Sequence, residues 1–225
     1  LQRIAVDLFT RAWEQDPVKF PYKPQNTYVR VVADSKTGTA SVDWTPTPQW
    51  GHLHVTINLP VKAANYVVSE IEFRHGVAYL LHEVGHPLHT CKVTWDAAVA
   101  RRAHNLLNAL EDVREEKATI DLGLAVNATL MFGALIDSLH AKAVAGGYDP
   151  NEPRSIGWTL SLLGRKANGY EVDTSDVARK LDPNGTVGKI VDWALPLLAQ
   201  CGSTQDCLDL ADKVTDALRA ARKPS

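Results

Sequence analysis

The 225-residue chain has only three cysteines, Cys91, Cys201 and Cys207. An odd number argues against a disulfide framework, and their spacing is not that of a zinc ribbon. Long apolar runs are missing too. Charges interrupt each one well before the roughly 20 residues of a membrane-spanning helix, and Leu1 to Trp13 reads as an amphipathic helix instead of a signal peptide. The chain carries no basic block and no basic patch interleaved with aromatics. Its 24 Lys and Arg offset 26 Asp and Glu for a formal net charge of −2, and the Arg101-Arg102 and Arg165-Lys166 pairs read as helix-surface charges. Neither nucleic acid nor membrane is expected as a partner, and the cytoplasm is the expected compartment. There is no internal repeat or low-complexity tract. The length is enough to bury a core as one domain, or as a main lobe with a helical extension.

The chemistry lies in His82-Glu83-Val84-Gly85-His86. Histidines four residues apart project from one face of a helix, so both imidazoles can reach a single metal ion. Glu83 lies about 100° further around the helix than His82, where it addresses a water beside the metal rather than the metal itself. Val77, Ala78, Leu80, Leu81 and Val84 make this a core helix, and polar groups on a buried helix need partners. Pro87 removes a backbone donor and disfavours helical geometry at His86, so the helix is expected to end or kink within a residue or two of that histidine.

A catalytic zinc usually takes three protein ligands and leaves the fourth position to water. Downstream, Leu106, Leu107, Leu110 and Val113 form the apolar stripe of a second amphipathic helix. Glu111 borders that stripe, 25 residues after His86, and is the first choice for the third ligand. Asp112 is expected to point away; a solvated acidic face is the competing reading of Glu111, Asp112, Glu115 and Glu116, and the favoured one for Glu115, whose alternative is to orient a ligand histidine. His104 shares a face with Glu111 and is the substitute ligand. His89 is read as supporting or surface and His75 as structural. His140 and Tyr148 are possible oxyanion donors.

These blocks carry a family resemblance. The HEVGH segment followed by a helix with a downstream glutamate resembles the gluzincin group of zincin metallopeptidases. His82-Glu83-x-x-His86-x-x-His89-Thr90 with Leu107-Asn108-Ala109-Leu110-Glu111-Asp112-Val113-Arg114 is similar to the metallopeptidase-like region of CobT-like proteins and of phage or bacterial proteins carrying a von Willebrand factor A domain. The likeness covers about residues 75 to 117. It implies His82, His86 and Glu111 as zinc ligands, Glu83 as general base, a peptide or protein substrate, and a von Willebrand A domain or AAA+ protein as a partner. No DxSxS motif of such a domain occurs in this chain. The block from His82 to His89 is also similar to the ImmA/IrrE regulatory peptidases that act on repressors, although their downstream pattern is not evident. The implied activity is hydrolysis of peptide bonds by a zinc-activated water. The alternatives are a catalytically silent zincin-fold module used in assembly, and a repressor-cleaving peptidase.

Periodicity predicts an α+β chain with strands early and helices late, which the resemblance makes zincin-like: a small N-terminal mixed sheet, the active-site helix, then a mostly helical C-terminal half. Thr27 to Ala33 and Thr39 to Thr45 read as a hairpin around residues 34–38. The segment from His52 to Leu59 alternates, with Leu53, Val55, Ile57 and Leu59 on one face and His52 and His54 on the other, and Pro60 closes it. In zincins the sheet's edge strand binds peptide by β-augmentation, and this segment is the natural candidate. The active-site helix is expected over Asn65 to His86. A long helix should follow, from a Thr94 N-cap to about Gly123, then another over Leu124 to Ala145, stopped by Gly146-Gly147. Tyr148 to Pro153 reads as a linker between a core of residues 1–147 and a helical subdomain of 148–225. Four further helices are expected: Ile156 to Lys166, Thr174 to Leu181, Val187 to Gln200 and Thr204 to Arg222.

Overall fold

The computed structural model describes residues 1–34, 39–47, 51–60 and 69–222. The architecture is mixed α and β. Helix α1 (Gln2–Gln15) precedes strands β1 (Thr27–Asp34), β2 (Ser41–Thr47) and β3 (His52–Pro60). Then come α2 (Glu70–His89), α3 (Lys92–Ala100), α4 (His104–Asp121), α5 (Ala128–Ala145), α6 (Ile156–Ala167), α7 (Ser175–Lys180), α8 (Thr186–Leu198) and α9 (Thr204–Ala221). No described helix is long and apolar enough to cross a membrane. The chain divides into two compact units: residues 1–89 with 118–131, and residues 90–117 with 132–225.

In the first unit the sheet order is β1-β3-β2, with β1 parallel and β2 antiparallel to β3. The two early strands are therefore not a hairpin, since each pairs with β3 and not with the other; the residues of the expected turn, 35–38, lie outside the described ones. The third strand is central and not an edge. Leu53, Val55, Ile57 and Leu59 are all buried, as the alternation required, and a strand with that much apolar area gains most from neighbours on both sides. The edges are β1 and β2. Helices α1 and α2 supply the rest of this core through Ala5, Leu8, Phe9, Ala12, Ala78, Leu80, Leu81 and Val84.

The start of α2 is fixed by a capping box. Ser69 Oγ accepts from the Glu72 backbone N–H at 3.3 Å, and Glu72 Oε2 accepts from the Ser69 N–H at 3.1 Å. Expected helical residues 65–68 lie outside the described ones. At its other end α2 runs through Pro87 to His89. Proline there removes only one backbone hydrogen bond, that to the Glu83 carbonyl, in the final turn, so the helix ends at His89, three residues after His86.

The second unit is helical. Leu107, Leu110 and Val113 of α4 join Ile156 and Leu160 of α6, Val187, Ile190, Val191, Ala194 and Leu198 of α8, and Cys207, Leu208, Leu210, Ala211 and Val214 of α9 in one apolar core. Gly164 permits the close approach: a Cβ there would meet Val113 Cγ1 at 2.9 Å and Leu198 Cδ2 at 3.0 Å. The single long helix expected from Thr94 is two helices. Arg102 takes a left-handed φ of 57° between α3 and α4, which ends the first and redirects the chain. The segment Tyr148 to Pro153 runs inside this unit, where the Tyr148 hydroxyl lies 2.8 Å from Thr159 Oγ1 and Asn151 Nδ2 donates to the Lys180 carbonyl at 2.9 Å. Its Pro and Asp content marks a fixed turn.

Candidate metal centre

In the first unit, α2 presents His82 and His86 one turn apart, with ring centroids 5.0 Å apart and planes at 80°. A ring nitrogen of each lies within 4.8 Å of the other, so small side-chain rotations bring both to one cation. Glu83 and His86 are buried, His82 partly so. Burial of a histidine and a carboxylate on an apolar helix fits groups held for chemistry, because a solvated surface pair needs no such enclosure. Two donors of the type zinc takes, on one turn, with a buried carboxylate beside them in sequence, fit the ion.

Two neighbours of this turn escape a reading of the sequence. Trp44, the buried residue of β2, stacks on His86 with centroids 6.2 Å apart and planes at 12°. Its inward position follows from strand alternation, but its partner requires the sheet order. Tyr79 sits one turn before His82, and burial raises its phenol above the ordinary range, partly offset by a hydrogen bond with Thr39 and by His82. The i−3 spacing on a helix was the available signal.

The second unit carries the acidic stretch of α4, and it is not a solvated face. Glu111, Glu115 and Glu116 are all buried. Glu111, the expected ligand, is held within this unit: Arg114 Nε and Nη2 donate to its two oxygens at 2.8 and 2.5 Å, and the Thr204 hydroxyl adds a bond of 2.8 Å. A carboxylate neutralised by a bidentate guanidinium has little charge left for a dication. Burial opposes the charge of Arg114, but Glu111 overcomes it by hydrogen bond and charge and keeps the guanidinium above its usual range. Glu116 is engaged the same way by Arg165, with bonds of 2.8 and 2.7 Å.

Asp112 does not turn outward as expected. Its side chain is only 14% exposed, with Arg165 Nη2 at 3.8 Å and Asn108 Nδ2 donating at 3.2 Å. Carboxylate oxygens of Glu115 and Glu116 lie within 4.8 Å of one another. His104 opens α4, and its Nδ1 is buried without a hydrogen-bond partner.

Both expected oxyanion donors are used in the packing of this unit. Trp158 Nε1 donates to His140 Nδ1 at 3.0 Å, which places the ring proton on Nε2, 3.0 Å from Asp176 Oδ1. Tyr148 pairs with Thr159. On the sheet, His54 stacks on Tyr28 with centroids 4.8 Å apart, and His52 meets the same ring edge-on at 5.6 Å. No protein-family model, curated protein or solved structure matches the chain.

Proposed function

We propose that the chain is a zinc-dependent hydrolase of peptide bonds, with His82 and His86 as two ligands and Glu83 as the general base. The observation that carries this reading is one buried turn of α2 holding two facing imidazoles with a carboxylate between them in sequence. Glu111 and Glu116 of α4 are each engaged through both oxygens by an arginine of their own unit.

Zinc, when bound, polarises a carbonyl and lowers the pKa of a bound water to about 7. Glu83 would take the proton of a water at this site and pass it to the leaving amine. Trp44 keeps the His86 ring in one orientation and excludes water from that face. An extended peptide is taken up on the edge of β2 away from β3, which has no strand beside it among the described residues.

The test uses the intact chain with zinc and an unfolded protein substrate. Cleavage by the parent and none by Glu83→Gln at equal zinc content supports the hydrolase. Equal cleavage by both removes Glu83 from the chemistry. A zinc-loaded parent that cleaves neither unfolded protein nor a degenerate peptide library supports the silent assembly module instead.

A further inference from the structure

The junction between α3 and α4 faces α9 across a cleft of about 510 Å³, lined by charges of both signs and lying wholly within the second unit. Arg101 Nη1 lies 3.6 Å from Asp212 Oδ2, and Arg219 Nη1 lies 3.3 Å from Asp216 Oδ1. These four side chains are each at least 48% exposed, so the pairs are solvated and weak, and the guanidiniums are free to turn to a better partner. Arg102 lines the same cleft and enters no ion pair among the described residues. Its φ of 57° is one that glycine adopts without a Cβ clash, so the turn itself gives no reason for an arginine. Asn105 and Leu106 bring the first turn of α4 to the cleft. The N–H groups that start this 18-residue helix have no helical carbonyl to reach and carry the positive end of its dipole. Three guanidiniums against two carboxylates add a net positive charge. The hydrolytic reading uses none of these groups.

We propose that this cleft binds a phosphomonoester of a polyhydroxy compound, a sugar phosphate or a nucleoside monophosphate. The phosphate dianion sits against Arg102 and the first turn of α4, where a guanidinium and backbone N–H groups donate charge-assisted bonds to it. The planar fork of arginine matches two phosphate oxygens at once. Asp212 and Asp216, one turn apart on α9, accept from hydroxyls, as acidic side chains do from those of a ribose. Because a carboxylate repels phosphate, the two acids also fix the direction of the ligand, phosphate toward α4 and hydroxyls toward α9. The same acids disfavour a polyanion, which would bring several phosphates against them. The volume of 510 Å³ falls within the range of about 300–1,000 Å³ in which small-molecule sites lie.

The experiment is isothermal titration calorimetry of the intact chain in a low-salt, phosphate-free buffer. The probes are adenosine monophosphate, glucose phosphorylated on its primary hydroxyl, adenosine, and inorganic phosphate. One ester or both should bind at least about 10-fold tighter than inorganic phosphate, and adenosine should not bind; which ester binds separates a nucleotide from a sugar source. Arg102→Gly should weaken the ester by about 10-fold or more and melt no lower than the parent, since glycine suits that φ. Asp212→Ala/Asp216→Ala should erase the preference for the ester and bind inorganic phosphate at least as well as the parent. His82→Ala should bind the ester like the parent, which separates this cleft from the metal centre. Backbone amide shifts of Asn105 and Leu106 should move with ester concentration, a readout in the parent that stands even if a variant fails to fold. Undiminished affinity in Arg102→Gly, loss of binding in folded His82→Ala, or no binding of either ester would overturn the proposal. Esters held no tighter than inorganic phosphate would show an adventitious ion only and overturn it too.

Discussion

Replacing Arg165 by methionine removes the guanidinium that two carboxylates of α4 share. The Arg165 side chain is 3% exposed and that of Glu116 is 2%, with the closest N–O distance 2.7 Å; Asp112 lies at 3.8 Å and Ser161 Oγ also accepts from the guanidinium. Burial alone would pull the guanidinium's pKa down, but the charge and hydrogen bonds of Glu116, with Asp112 behind them, hold it above its usual range. Methionine fills most of the volume yet leaves Glu116 buried without that cation. Removing one partner of such a pair costs about 3–5 kcal/mol, while replacing both by apolar residues is often neutral. At about 2–4 °C per kcal/mol for a chain of this size, Arg165→Met should lower the thermal midpoint by roughly 6–20 °C. The double variant Arg165→Met/Glu116→Leu should recover most of that loss. Thermal and urea unfolding followed by circular dichroism and tryptophan fluorescence give both numbers. A single variant within about 1 kcal/mol of the parent, or a double variant no better than the single, would refute the claim that the fork pairs a charge desolvated on folding.

Three further outcomes follow from particular atoms. Gly188→Ala should destabilise although alanine is the better helix former by about 1 kcal/mol, because its Cβ would sit 2.0 Å from the Asp182 carbonyl oxygen; Gly76→Ala, with nothing within 4 Å, should stabilise by up to that amount, and urea midpoints for both would show the opposite signs. Asp176 is pulled up by burial but held below the usual carboxylate range overall by its bond with His140 and by the Val177 N–H. A depressed folded pKa contributes stability that is fully present above the unfolded value of about 4 and is lost as pH falls through the folded one, so Asp176→Asn should flatten the acid limb of the unfolding midpoint against pH and leave its slope near neutrality unchanged. Trp44→Ala should weaken zinc binding by about 10–100-fold if stacking fixes the His86 ring; unchanged affinity by competition with a chelating dye would remove Trp44 from that role.

What could be read from the sequence was whatever local periodicity encodes. The four-residue spacing of His82 and His86 requires only a helix, and a helix is what forms. The alternation from Leu53 to Leu59 likewise identified the buried face of β3. Strand order was out of reach, since nothing in β1 or β2 states that each prefers β3 to the other; that choice is made by burying the most apolar strand in the middle. Pro87 sits in the last turn of α2, where its cost is small because few turns remain. Glu111 was placed correctly on the inner side of α4, but its partners Arg114 and Thr204 could not both be foreseen: one is three residues away on the same helix, and the other is 93 residues away. Similarly, Tyr148 to Pro153 has the composition of a linker and the bonding of a fixed turn. Composition reports turn chemistry, not where cores separate.

The central claim is that His82 and His86 hold one zinc ion, and metal content decides it most directly. Chains purified with zinc, passed through a desalting column and analysed by mass spectrometry of the metal should give one zinc per parent chain. His82→Ala and His86→Ala should give almost none, and Glu111→Gln close to the parent, because that carboxylate serves Arg114. Circular dichroism confirms that each variant is folded. Loss at Glu111→Gln would support Glu111 as the third ligand, as the resemblance implies. Full zinc occupancy in both folded histidine variants would contradict the account.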